Sequence, residues 1–101
     1  MKQVVLSADG PRRVYSVPDV VAEDLEKYCM EFCCEWLPQS PDAAQYRDDR
    51  GWLCYTERDF IDYLNRWVFP EQKSELVEEL GLIGDADILF SKYADCPDFN
   101  F

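Results

Sequence analysis

The stretch DVVAEDLEKYCMEFCCEWL, residues 19–37, has the clearest helical period in the chain. On a helical wheel its apolar side chains share one continuous face, made of Val21, Leu25, Tyr28, Cys29, Phe32, Cys33 and Trp36. The opposite face carries charged residues such as Lys27 and Glu31. Asp19 is suited to cap the start, and Pro38 is expected to end the helix. The pattern predicts a central amphipathic helix whose apolar face forms the core.

Two short β-favouring runs precede this helix, from Gln3 to Ala8 and from Arg13 to Val17. The residues between them include Asp9 and Gly10, and an Asp-Gly pair between apolar runs is a turn signal. Pro18 then ends the second run. These features predict an N-terminal β-hairpin.

The sequence after the central helix predicts a further strand and a further helix. Apolar and aromatic residues alternate from Trp52 to Tyr55, which predicts a short third strand paired with the hairpin. The next four residues, Thr56 to Asp59, resemble a capping box. An apolar stripe follows as far as Phe69 and predicts a second amphipathic helix.

Pro70 is suited to begin a third helix that runs to Leu80 and stops at Gly81, where the left-handed conformation is easily adopted. Residues 82–101 leave two alternatives open, because the segment 88–90 fits either a buried strand or one helical turn. With 101 residues, the chain is expected to form a single domain. The predicted fold class is α+β, a small antiparallel sheet packed against two or three amphipathic helices.

The charge balance restricts the choice of partners. Ten Lys and Arg residues face twenty-one Asp and Glu residues, and there is no His, so the formal net charge is −11. Direct binding to nucleic acid or to an anionic membrane requires a basic surface, and we expect neither. A basic protein is the expected partner, although an acidic surplus also serves solubility alone.

The N-terminal apolar run is too short for a signal peptide and is interrupted by Asp9. No run of eighteen apolar residues occurs elsewhere, so we expect no membrane-spanning helix and a cytoplasmic location. Five cysteines (Cys29, Cys33, Cys34, Cys54 and Cys96) are then expected to remain reduced.

The chain carries no strong catalytic or metal-binding motif. Cys29 and Cys33 lie one helical turn apart, but a tetrahedral metal site needs two more ligands, and the apolar face predicts that both are packed in the core. Cys34 lies at the edge of that face and is expected to be exposed. Without His, Cys54 lacks the base that normally activates a cysteine nucleophile. We therefore expect no metal, no cofactor and no enzymatic activity.

One charged pattern exceeds what composition explains. In the predicted third helix, Glu71, Glu75, Glu78 and Glu79 fall on one side of the wheel, and Asp85 and Asp87 extend this acidic ridge. Like charges one turn apart destabilise a helix, so a basic partner would offset that cost. These six residues form the predicted binding surface.

The leading functional prediction is therefore a non-catalytic protein-interaction module that binds a basic protein surface. A sharper form is an inhibitor that imitates the charge of nucleic acid and occupies a nucleic-acid-binding groove. Two alternatives stay open: a thiol-based metal or redox protein using the cysteines of the first helix, and a small enzyme using paired carboxylates.

Overall fold

A four-stranded sheet organises the protein in the computed structural model. The strands are β1 (Lys2–Ser7), β2 (Arg12–Val17), β3 (Glu75–Gly81) and β4 (Asp98–Asn100), in the order β3-β2-β1-β4. The predicted α+β class and the predicted hairpin of β1 and β2 are confirmed. The prediction of a purely antiparallel sheet is wrong, because β4 pairs with β1 in parallel.

The helical elements lie between the hairpin and β3, apart from one short helix near the C-terminus. They are α1 (Asp19–Glu23), α2 (Leu25–Met30), a first π-helical segment (Glu31–Trp36), α3 (Leu37–Gln39), a 3-10 helix (Pro41–Tyr46), α4 (Glu57–Tyr63), a second π-helical segment (Leu64–Val68) and α5 (Asp85–Leu89). The predicted central helix thus exists, but its backbone is interrupted at Asp24. None of the helices combines the length and the hydrophobicity that crossing a membrane requires.

The main core fills the space between one face of the sheet and these helices. The hairpin contributes Val4, Leu6, Tyr15 and Val17, and the central helix contributes Val21, Leu25, Cys29 and Phe32. The apolar face read from the sequence is therefore the buried face. Phe32 lies at its centre and contacts four aromatic rings from three other segments.

The opposite face of the sheet is covered by a second, smaller cluster. Val5 and Val14 point to this side and pack with Tyr93. Ile88 of α5 and Cys96 complete it. Because β1 and β2 are covered on both faces, Val4 and Val5 are both buried, as are Val14 and Tyr15.

The predicted third strand, Trp52 to Tyr55, is wrong. Only one isolated bridge, between Arg47 and Leu53, involves this segment. Asp48 explains the difference, because its carboxylate accepts hydrogen bonds from the backbone N–H groups of Arg50 and Trp52 and closes a local loop. The segment therefore pairs with the chain just before it, and the places beside the hairpin are taken by β3 and β4.

The predicted third helix, Pro70 to Leu80, is also wrong. The chain turns at Pro70 and forms the extended strand β3, antiparallel to β2. The side-chain amide of Asn65 holds the backbone of Ser74 just before β3, since it donates to the Ser74 carbonyl at 3.0 Å and accepts from the Ser74 N–H at 2.7 Å. Both backbone groups of Ser74 are therefore bonded outside any helix. Gly81 does adopt a positive φ of 76°, but at the end of a strand.

The two alternatives for residues 88–90 are resolved in favour of a helix, because α5 runs from Asp85 to Leu89. The C-terminal tail is docked onto the sheet. Phe101 donates its backbone N–H to the Ser7 carbonyl at 2.9 Å and packs its ring against Phe60 at a centroid distance of 5.4 Å.

Tyr15 predicts how stability depends on alkaline pH. Burial, reinforced by the nearby Glu57 carboxylate, raises the pKa of Tyr15 to about 12 from an ordinary value of 10.0. Between those two pH values the unfolded chain loses a proton that the folded protein keeps. The contribution of this group is complete below pH 10 and is lost as pH rises toward 12, at about 1.4 kcal/mol per pH unit.

Urea unfolding at a series of pH values from neutral to strongly alkaline measures this loss. Tyr15→Phe removes only the ionisable hydroxyl and is expected to flatten the alkaline part of the curve. An identical slope in the wild type and the variant would contradict the assignment to Tyr15.

Candidate functional site

The six residues of the predicted acidic ridge are all exposed, but they do not share one helix face. Glu71 lies in the turn before β3, and Glu75, Glu78 and Glu79 lie on β3 itself. Asp85 and Asp87 lie in the first turn of α5. Because side chains alternate along a strand, Glu78 and Glu79 point to opposite sides of the sheet. The helical reason for grouping the glutamates is therefore wrong, and only Glu75, Glu78 and Glu79 lie together on the edge strand β3.

Four of the six carboxylates have partners within the protein. Glu79 accepts from Arg13 Nε at 3.1 Å, and Asp85 accepts from Arg12 at 2.5 Å. Glu78 accepts from the Tyr93 hydroxyl, and this hydrogen bond is the main reason that the pKa of Tyr93 is raised. Asp87 accepts from the Gly84 N–H at 2.9 Å and caps α5. Glu71 and Glu75 make no such contact, so their charge is fully available to a partner.

The edge of the sheet at β3 is open. β3 is hydrogen-bonded to β2 on one side and has no neighbour on the other. Its first five residues are exposed, including the apolar side chains of Leu76 (51%) and Val77 (45%). An edge of this kind presents unpaired backbone N–H and C=O groups that accept an added strand.

A buried ion pair connects this edge of the sheet to α4. Glu57, the first residue of α4, has a side chain only 3% exposed and accepts from Arg13 of β2. Arg13 also reaches Glu79, so one guanidinium joins α4, β2 and β3. This pair is not predictable from the sequence, because an acidic residue in the first turn of a helix is usually a solvated one. No local signal distinguishes Glu57 from such a residue.

The cysteines of the central helix are divided by burial. Cys29 is fully buried, and desolvation raises the pKa of its thiol well above the usual range. Cys33 is partly buried and its Sγ lies 3.6 Å from that of the exposed Cys34. No group of three or more metal-ligating side chains of the Cys, Asp, Glu and His types comes together anywhere in the chain.

Thiol labelling tests this division. Cys34 and Cys54 are exposed and are expected to react with a thiol reagent at once in the native protein, whereas Cys29 reacts only after unfolding. Elemental analysis of the purified protein is expected to find no stoichiometric metal. One zinc ion per chain, or immediate labelling of Cys29, would contradict this prediction.

The carboxylate groups with shifted pKa values do not form a catalytic pair. The pKa of Asp19 is lowered by the N-terminal amino group, and the pKa of Asp48 is lowered by hydrogen bonds, chiefly from the Trp52 backbone N–H. Both shifts favour the charged form, whereas a general acid requires a raised pKa. Asp19 therefore forms an ion pair with the N-terminal amino group, and Asp48 accepts the hydrogen bonds that close its loop.

Comparisons of the chain with protein-family models, with curated proteins and with solved structures find no match.

Proposed function

We propose that this protein is a non-catalytic acidic interaction module that binds a basic segment of a partner protein along the free edge of β3. The proposal depends on two features of β3. Its outer side pairs with no other strand over seven residues, and it carries exposed glutamates at Glu75, Glu78 and Glu79. Backbone groups along such an edge supply affinity for any extended chain, and the side chains select which chain binds.

Charge supplies the selectivity. Residues 69–101 contain eight acidic residues against Lys73 and Lys92, a net charge of −6. Carboxylates along an edge disfavour an added strand of like charge, including the same strand of a second copy of this protein, whose net charge is −11. A segment rich in Lys or Arg meets no such repulsion and is attracted over about one Debye length.

A sharper form of the proposal is that the protein inhibits a nucleic-acid-binding partner by occupying its basic surface. That form makes a separate prediction, because duplex DNA and this protein would then compete for the same partner. Simultaneous binding of both would leave the interaction module in place and remove the inhibitory role.

Strand addition is tested with a defined probe, an alternating lysine–valine hexapeptide with blocked ends. We expect the peptide to bind more weakly as salt is added and to slow amide hydrogen exchange at the outward-facing N–H groups of β3. The matched control is the alternating glutamate–valine peptide, which is expected not to bind. Unchanged exchange along β3 at saturating lysine–valine peptide would contradict the edge-binding proposal.

A pair of charge-reversal variants separates the edge from general electrostatic attraction. Glu71→Lys with Glu75→Lys changes two carboxylates that have no partner within the protein, so the fold is expected to be retained. Glu26→Lys with Asp49→Lys gives the same net charge at exposed positions on other elements. Only the first pair is expected to weaken peptide binding strongly, mainly through slower association. Equal weakening by both pairs would mean that total charge alone attracts the peptide.

A further inference from the structure

An open cavity of about 380 Å³ lies between the first π-helical segment, α3 and the end of α4. Its lining combines aromatic rings with acidic and amide side chains, and consists of Glu31, Glu35, Trp36, Gln39, Ser40 and Tyr63. No residue of the predicted acidic ridge takes part, so this site is independent of the β3 edge.

The aromatic wall of the cavity presents a tryptophan ring without a cation. Trp36 packs against Tyr63 at a centroid distance of 5.0 Å and against Trp67 at 4.7 Å. The other two tryptophans each carry an arginine over the ring, Arg50 at Trp52 (5.7 Å) and Arg66 at Trp67 (5.5 Å). Trp36 has no such partner within the chain. Phe32 and Tyr46 also contact Trp36, each at a centroid distance of 6.1 Å, so a cation can reach only the part of the ring that lines the cavity.

Tyr63 supplies an unused polar group in the same cavity. The residue is only 9% exposed, but its hydroxyl makes no hydrogen bond within the protein and stays accessible to solvent. Burial raises the pKa of Tyr63, and the charges of Glu31 and Glu35, which line the same cavity, raise it further. The side chains of Tyr63, Glu31 and Glu35 therefore line the same open cavity.

We infer that this cavity binds the side-chain ammonium group of a lysine on a partner protein. A primary ammonium carries three N–H donors, and the cavity offers three acceptors on Glu31, Glu35 and Tyr63. The alkyl stem of lysine is suited to the face of Trp36. A quaternary ammonium has no donor and would leave the acceptors unpaired, so trimethylation of the lysine is expected to weaken binding.

The inference is tested by nuclear magnetic resonance titration with Nα-acetyl-lysine N-methylamide. We expect saturable shifts of the Trp36 indole N–H, and weaker or no shifts with the norleucine analogue, which keeps the stem and lacks the ammonium. The trimethyl-lysine analogue is expected to bind several-fold more weakly than lysine. Equal shifts with the norleucine analogue would overturn the inference, since they would show binding to the stem alone.

Variants assign the binding to this cavity. Glu31→Gln with Glu35→Gln is expected to weaken lysine binding about tenfold, because charge-assisted hydrogen bonds are lost, and Tyr63→Phe is expected to weaken it less. Glu26→Gln with Asp49→Asn is the matched control, at exposed positions outside both sites, and is expected to leave the affinity unchanged. An affinity that survives Glu31→Gln with Glu35→Gln overturns the inference. Failure of this test leaves the β3 edge unaffected, because the hexapeptide experiment reads amides of a different element.

Discussion

Replacement of Phe32 by alanine is expected to lower the free energy of unfolding by about 4 kcal/mol. Phe32 is fully buried, and its ring lies 5.1 Å from that of Tyr63, 5.6 Å from those of Tyr55 and Phe60, and 6.0 Å from that of Phe101. These four rings come from three segments, since Phe60 and Tyr63 both lie on α4, and they cannot all move inward to fill the space. The loss therefore combines the transfer free energy of the side chain with the cost of a cavity.

The measurement is urea unfolding of the wild type and the variant. Phe90→Ala is the matched control, because it makes the same chemical change at a residue that is 91% exposed, and its effect is expected to stay within about 0.5 kcal/mol. Phe32→Leu keeps the experiment informative if Phe32→Ala fails to fold, with an expected loss of about 1 kcal/mol. A cost at Phe32 no larger than that at Phe90 would contradict the central position of this ring.

Local signals in the sequence account for the parts of the fold that were predicted. The helical period of residues 19–37 identified the buried face, and the Asp-Gly turn identified the hairpin. The capping box at Thr56 and Asp59 is present as predicted, with the Asp59 carboxylate accepting from the Thr56 N–H at 2.8 Å. Each of these features depends on residues that are close together in the sequence. Sequence patterns are informative over such short separations.

β3 was predicted wrongly because its own residues favour a helix. Leu76, Val77 and Leu80 fit an apolar helix face, whereas the segment lacks the apolar–polar alternation typical of a half-buried strand. Non-local partners override this local pattern. The free edge of β2 pairs with the segment, and the Asn65 amide holds Ser74 extended. Neither contact can be read from the segment itself.

The candidate sites likewise depend on contacts between residues that are far apart in the sequence. The exposure of the six acidic residues was expected from their charge, whereas the placement of Glu75, Glu78 and Glu79 on an edge strand depends on the pairing of β2 with β3. The cavity at Trp36 requires Tyr63, which is 27 positions away and belongs to another helix. On the sequence alone, both aromatic residues are ordinary members of an apolar face.

Removal of the guanidinium at Arg13 is expected to lower the free energy of unfolding by about 3 kcal/mol in Arg13→Met. The variant keeps an apolar stem of similar length but leaves the Glu57 carboxylate, with a side chain 3% exposed, without its partner. An unpaired buried charge costs far more than the pair contributes, so the double variant Arg13→Met with Glu57→Met is expected to recover most of the loss.

Glu79→Gln is the control for the second ion pair of Arg13, the one with Glu79. Glu79 is 64% exposed, and a solvent-exposed pair is worth at most about 1 kcal/mol. Urea unfolding of the wild type, Arg13→Met, Glu57→Met and the double variant gives the coupling energy between Arg13 and Glu57. Additive effects of the two methionine substitutions would show that these side chains do not interact, and the joining of α4 to the sheet edge would then have to come from apolar packing alone.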